Sequence, residues 1–116
     1  MNKFKFNRYN DGVAHIYREK ERLTTDFTVK KNVNVLDDMD FIVKLAYEES
    51  TKREQDLEFA NQQGFSLTEK IRTRYVKGVD NKCKAVIDGF LYDISYIDFN
   101  KSEMWLYLEG VKKIDS

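Results

Sequence analysis

Apolar and polar side chains alternate with the two-residue period of half-buried strands through most of the chain. Val13 to Glu19 alternates weakly and predicts a first strand. Phe41 to Tyr47 alternates more strongly, with Phe41, Val43, Leu45 and Tyr47 facing one way. From Ser66 to Val76, Leu67, Ile71, Thr73 and Tyr75 share one face, and Thr68, Lys70, Arg72 and Arg74 share the other. A short helix fits the same letters, because Leu67, Ile71 and Tyr75 also stand four apart and Ser66 and Glu69 have capping-box spacing. The β-branched Thr68, Ile71, Thr73 and Val76 favour the strand.

After a turn at Lys77-Gly78, Cys83 to Ile87 predicts a short strand that stops at Asp88-Gly89, a pair suited to the positive-φ positions of a tight hairpin. Leu91 to Phe99 follows at once, with Tyr92, Ile94 and Tyr96 on one face, and Asn100 to Ser102 close it. In the last strand, Glu103 to Glu109, aliphatic Met104, Leu106 and Leu108 alternate with Glu103, Trp105, Tyr107 and Glu109. These last four strands read as a meander, with Leu67, Ile71, Tyr75, Ile94, Leu106 and Leu108 as core.

One segment has helical spacing. Thr51-Lys-Arg-Glu54 is a capping box, Leu57 and Ala60 give a narrow apolar stripe, and Gly64 is suited to a left-handed stop, so a helix is predicted over 51–63. Its charged remainder, Lys52, Arg53, Glu54, Asp56 and Glu58, reads as a solvated face or as a surface that meets a neighbouring subunit. Residues 1–11 carry Phe4, Phe6 and Tyr9 among Lys3, Lys5 and Arg8, and read either as an edge strand or as an arm that orders on a neighbour. Glu19 to Asp40 has poor periodicity for its length, and is expected to be a long projecting loop with a binding role or the far strands of a hairpin. The element order is strand, long loop, strand, helix and four strands. It predicts a mainly β single domain, a small barrel of about six strands of SH3-like or similar type with one short helix.

The length, 116 residues, allows one core and no separate catalytic domain. Lys and Arg together number 20, as do Asp and Glu, so no overall field draws the chain to nucleic acid or anionic membrane. The single cysteine, Cys83, excludes an internal disulfide and reads as a small buried hydrophobe. One Cys and one His at opposite ends of the chain do not form a zinc site. Asp37, Asp38 and Asp40 lack the glycine and closing glutamate of a calcium loop, so no metal or cofactor is expected. His15 has no accompanying nucleophile motif, and no Gly-rich phosphate loop or His-carboxylate cluster is present, so an enzyme is not expected. No apolar run approaches a membrane span, and charges stand where a signal peptide would have its apolar core, which predicts a cytoplasm-like compartment. The chain has no proline, so no X-Pro isomer slows its folding.

The order of the C-terminal segments carries a resemblance. Arg72-Thr-Arg-Tyr75, the Gly78-Val-Asp80 turn, a short strand into Asp88-Gly89-Phe90-Leu91-Tyr92, and Ile94-Ser-Tyr-Ile-Asp98 before a Leu-rich strand resemble the head-tail joining (head-completion, or head-closure) proteins of long-tailed bacteriophages and related prophages. The resemblance covers the last half of the chain, and the first half only in element order. It implies a structural virion protein at the neck, made in the host cytoplasm. There it forms a homo-oligomeric ring of twelve-fold symmetry between a portal-side adaptor and a tail-completion protein, and loops at the axis plug the channel against loss of DNA. Candidate partner and subunit contacts are Lys30, Lys31, Asp37, Asp38, Asp40, Arg53, Arg72 and Arg74. Contact with packaged DNA would be without sequence readout. The alternative reading is a small-barrel nucleic-acid-binding module that uses Lys70, Arg72 and Arg74 beside Tyr92 and Tyr96.

Overall fold

Six antiparallel strands close into a barrel in the order β1-β2-β3-β6-β5-β4 in the computed structural model, which describes residues 9–19 and 39–114. The strands are β1 (Gly12–Glu19), β2 (Met39–Glu49), β3 (Glu69–Arg74), β4 (Cys83–Ile87), β5 (Phe90–Phe99) and β6 (Glu103–Lys113), and one helix, α1 (Glu54–Gln63), stands between β2 and β3. The small barrel with a single short helix is therefore the fold that the alternation predicts. Residues 1–8 and 20–38, which hold most of the expected arm and long loop, lie outside the described residues.

The segment from Ser66 to Val76 forms a strand, as its β-branched residues predict, and all of β3 is laddered to β6 from Glu69↔Leu108 to Arg74↔Glu103. This pairing corrects the expected meander. β4, β5 and β6 do follow one another, but β3 lies against β6, and β4 closes the barrel on β1 through Arg18↔Cys83 to His15↔Val86. A closed barrel leaves no free edge at the first and last positions of the sheet, so β4 is needed at β1 and cannot also flank β3. The connection between β3 and β4 instead crosses one end of the barrel and buries Val79 there.

Ala14, Ile16, Leu45, Ile71, Ile94, Met104, Leu106 and Leu108 fill the interior with Cys83 and Ala85. Of the six residues expected in the core, Ile71, Ile94, Leu106 and Leu108 are buried and Leu67 is half-buried. Tyr75 is exposed, because β3 ends at Arg74 and places it beyond the barrel mouth, stacked on Phe99 with ring centroids 5.3 Å apart.

Two further departures from strict alternation come from bulges. Between β1 and β2 the register runs from Ile16↔Val43 to Tyr17↔Phe41 and skips Ile42. Phe41 is thereby turned away from the core, 53% exposed, with its ring edge-on to Tyr17 at 5.6 Å. Between β5 and β6 the register skips Ser95, so Ile94 faces the interior while Tyr96 stands outside against Tyr107. The hairpin at Asp88 and Gly89 has φ of 52° and 78°, the two positive values of a type I′ turn.

The helix begins at Glu54 with Arg53 as N-cap, two residues later than the N-cap that the Thr51 capping box predicts. Asp56 supplies the capping interaction by accepting the Arg53 backbone N–H at 2.9 Å. Gly64 ends the helix in the left-handed region at φ 86°, as expected. The buried stripe is Asp56 and Ala60, whereas Leu57 is exposed.

Candidate functional site

The helix is held on the outer wall of the barrel by a polar pair beneath an aromatic cluster. Lys70 and Tyr107 are direct neighbours across the β3–β6 ladder, and both point outward, under α1. Lys70 Nζ donates to Asp56 Oδ2 at 2.9 Å, and both side chains are buried. The Tyr107 hydroxyl donates to Asp56 Oδ1 at 3.2 Å, and the Lys70 ammonium lies 5.1 Å from the Tyr107 ring centre. Phe59 covers the group from the helix, 4.7 Å from Tyr96 and 6.1 Å from Tyr107. Burial acts to raise the Asp56 carboxyl. The Arg53 backbone N–H and the Lys70 ammonium outweigh it, and the carboxyl lies below its usual range. Burial and the Asp56 charge push the Tyr107 hydroxyl up to about 12.

A second network ties Tyr9, just ahead of β1, to the barrel. The Tyr9 hydroxyl donates to Glu103. Arg72 bonds Glu48 on β2, lies 3.6 Å from Glu103 on β6, and carries its guanidinium 6.0 Å from the Tyr9 ring. At the end of β1, Arg18 reaches Asp80 at 3.1 Å and the Gly78 carbonyl at 3.0 Å, which fixes the β3–β4 connection. Cys83 is buried beside that carboxylate, and burial pushes its thiol up, away from the reactive thiolate.

The predicted site residues are dispersed. Lys30, Lys31, Asp37 and Asp38 lie outside the described residues. Asp40 is exposed on β2, opposite Arg18 in the ladder. Arg53 is exposed at the helix start, 3.5 Å from Asp56, and Arg74 is exposed at the end of β3, while Arg72 is engaged by Glu48 and Glu103. Lys70 and Asp56 were both legible only as surface charges, and their burial corrects that reading. The one local signal was the position of Asp56 three residues after Arg53.

The two barrel ends differ. At the end where the β4–β5 hairpin turns, Tyr47 and Tyr92 line a small cavity of about 160 Å³ rimmed by Glu49, Glu69 and Asp88. Burial raises both tyrosine hydroxyls, and these carboxylates add to the shift. At the other end an aromatic groove of about 280 Å³ runs beside the second half of β5, between Tyr75, Val79, Tyr96, Ile97, Phe99 and Met104. Sequence reading placed Tyr75 and Tyr96 inward and so missed this groove.

Among the described residues no cluster of three His, Cys, Asp or Glu side chains is placed to hold a metal ion. No described helix is long and apolar enough to cross a membrane. The described surface offers one wall sealed by a helix, one acidic mouth and one aromatic groove. No protein-family model matches the chain, and no curated protein matches it.

Proposed function

We propose that this chain is a structural virion protein, a ring-forming adaptor at the head-tail interface that closes the DNA-filled head and offers the tail its attachment surface. A ring built from head-to-tail contacts requires two unlike faces on each subunit. The observation that best supports the reading is that this barrel is unlike at its two ends, with an aromatic groove at one and a carboxylate-rimmed mouth at the other, as a subunit that meets different partners above and below requires. The ring lies in the virion neck, between a portal-side adaptor and a tail-completion protein, and retains DNA by blocking its path.

A nucleic-acid-binding module is less well supported. Its basic face would need Lys70, which is buried against Asp56, and Arg72, which is engaged by two carboxylates. A backbone-tracking groove needs free positive charge.

The test is a mass measurement of the purified chain alone and then with its cognate portal complex. A monomer that becomes a closed ring on the portal supports the proposal. A chain that ignores the portal, yet binds single-stranded DNA at low salt, would replace it with the module.

A further inference from the structure

Two strands of this barrel are longer than their neighbours on one side. β2 runs from Met39 to Glu49, but its pairing with β3 consists of Glu48↔Arg72 and Glu49↔Ile71. β5 runs to Phe99, but its pairing with β4 ends at Lys84↔Asp93. Among the described residues, therefore, Met39 to Tyr47 and Ile94 to Phe99 each have one edge that no ladder pairing occupies. Backbone N–H and C=O groups along such an edge are met by water or by another strand, and an extended chain is the ligand whose chemistry matches both. Exposed aromatic side chains mark the same places: Phe41 is 53% exposed on β2, and Phe99 is 59% exposed on β5.

We infer that copies of this chain join head to tail by pairing the open edge of β2 in one copy with the open edge of β5 in the next. The inference rests on the ring reading and names its subunit contact.

Direction and charge both favour this pairing over others. β2, β3, β6 and β5 are linked by three antiparallel pairings, so β2 and β5 run in opposite senses along the barrel. Copies held in one orientation by rotation about a ring axis along the barrel therefore meet as an antiparallel pair, the geometry with direct cross-strand neighbours. Lys44 is exposed on the open part of β2, and Asp98 is exposed on the open part of β5; neither forms an ion pair among the described residues. β2 against β5 brings opposite charges together. β5 against β5 brings Asp98 toward Asp98, and like charges are unfavourable across a ladder. The contact is short. Six residues of strand extend about 20 Å, and so small a pairing holds weakly until a partner aligns the copies.

The experiment mixes two singly substituted chains, Lys44→Cys and Asp98→Cys, at millimolar concentration with a short bis-maleimide; the natural chain, whose Cys83 is buried, is the blank. A cross-linked pair is expected in the mixture and not in either variant alone. Charge reversal gives the second readout, with the reporter cysteines Ala46→Cys and Ser95→Cys: Lys44→Glu alone or Asp98→Lys alone should reduce the cross-link yield, and the two reversals together should restore it. No link in the mixture, or links as abundant within each single variant, would overturn the edge pairing. The doubly substituted chain Lys44→Cys/Asp98→Cys separates this from the ring reading. A ladder that closes at one size supports both. An open ladder supports the edge contact and refutes the ring, and a ring on the portal complex without the cross-link refutes the edge contact alone.

Discussion

Lys70 and Asp56 form an ion pair of 2.9 Å that is buried between the helix and the barrel wall, at 5% relative exposure each. Each charge is tolerable there because the other is present. Asp56→Ala leaves the Lys70 ammonium buried without its counter-charge and removes the acceptor of the Arg53 N–H, so unfolding in urea should show a loss of about 3–5 kcal/mol. Asp56→Leu combined with Lys70→Met should be far milder than the sum of the single changes. An additive double-mutant cycle would show that the pair does not act as a unit.

The same cluster makes stability depend on alkaline pH. Tyr107 has its hydroxyl pushed from 10 up to about 12 in the folded protein. Between those values the unfolded chain has released the proton that the folded chain still holds, so raising the pH favours unfolding. The shift corresponds to roughly 2–3 kcal/mol lost across that window. Denaturation curves from pH 9 to 12 should therefore fall less steeply for Tyr107→Phe than for the natural chain. Asp56 has the opposite sign, because its folded carboxyl lies below the usual 3.8. Its contribution is complete above that value, and is lost as the pH falls through the folded one.

Leu106 is fully buried at the centre of the β3–β6–β5 wall, opposite Ile71 and Ile97. Leu106→Ala should cost about 2–5 kcal/mol through lost burial and a residual cavity. A change below about 0.5 kcal/mol, read from the urea midpoint, would place the side chain at the surface.

The type I′ hairpin depends on a residue that tolerates the left-handed region. Gly89 sits at φ 78°, with nothing within 4 Å of an added Cβ, so Gly89→Ala meets backbone strain and no clash. The expected loss of stability, read from urea unfolding, is about 1–2 kcal/mol. A neutral result would mean that the turn relaxes to another form.

How far the sequence could be read depended on whether neighbours along the chain settle the outcome. Local chemistry did settle the strand at Glu69–Arg74, the Asp88-Gly89 turn and the Gly64 stop, because β-branching and positive φ act within a few residues. The pairing of β3 with β6 did not follow from local signals, since closure of the barrel decides it. Asp56 and Lys70 are separated by 14 positions and by a change from helix to strand, so each taken alone reads as a solvated charge. The aromatic groove was hidden for a related reason. Tyr75 and Tyr96 have the right parity for the core, but a strand end removes one and the Ser95 bulge removes the other.

Residues skipped in the ladders, among them Ile42 on β2 and Ser95 on β5, also determine where the chain can change length. In a regular strand the loss of one residue carries everything beyond it to the opposite face of the sheet. At Ile42 the ladder already counts two residues against one. A chain without Ile42 would set Phe41 next to Val43, leave Phe41 opposite Tyr17 and leave Val43 opposite Ile16, so no side chain would exchange inside for outside. Single-residue deletion is thus tolerated where the ladder miscounts and disruptive a few positions away, and relatives of this chain that differ in strand length should differ at these positions first.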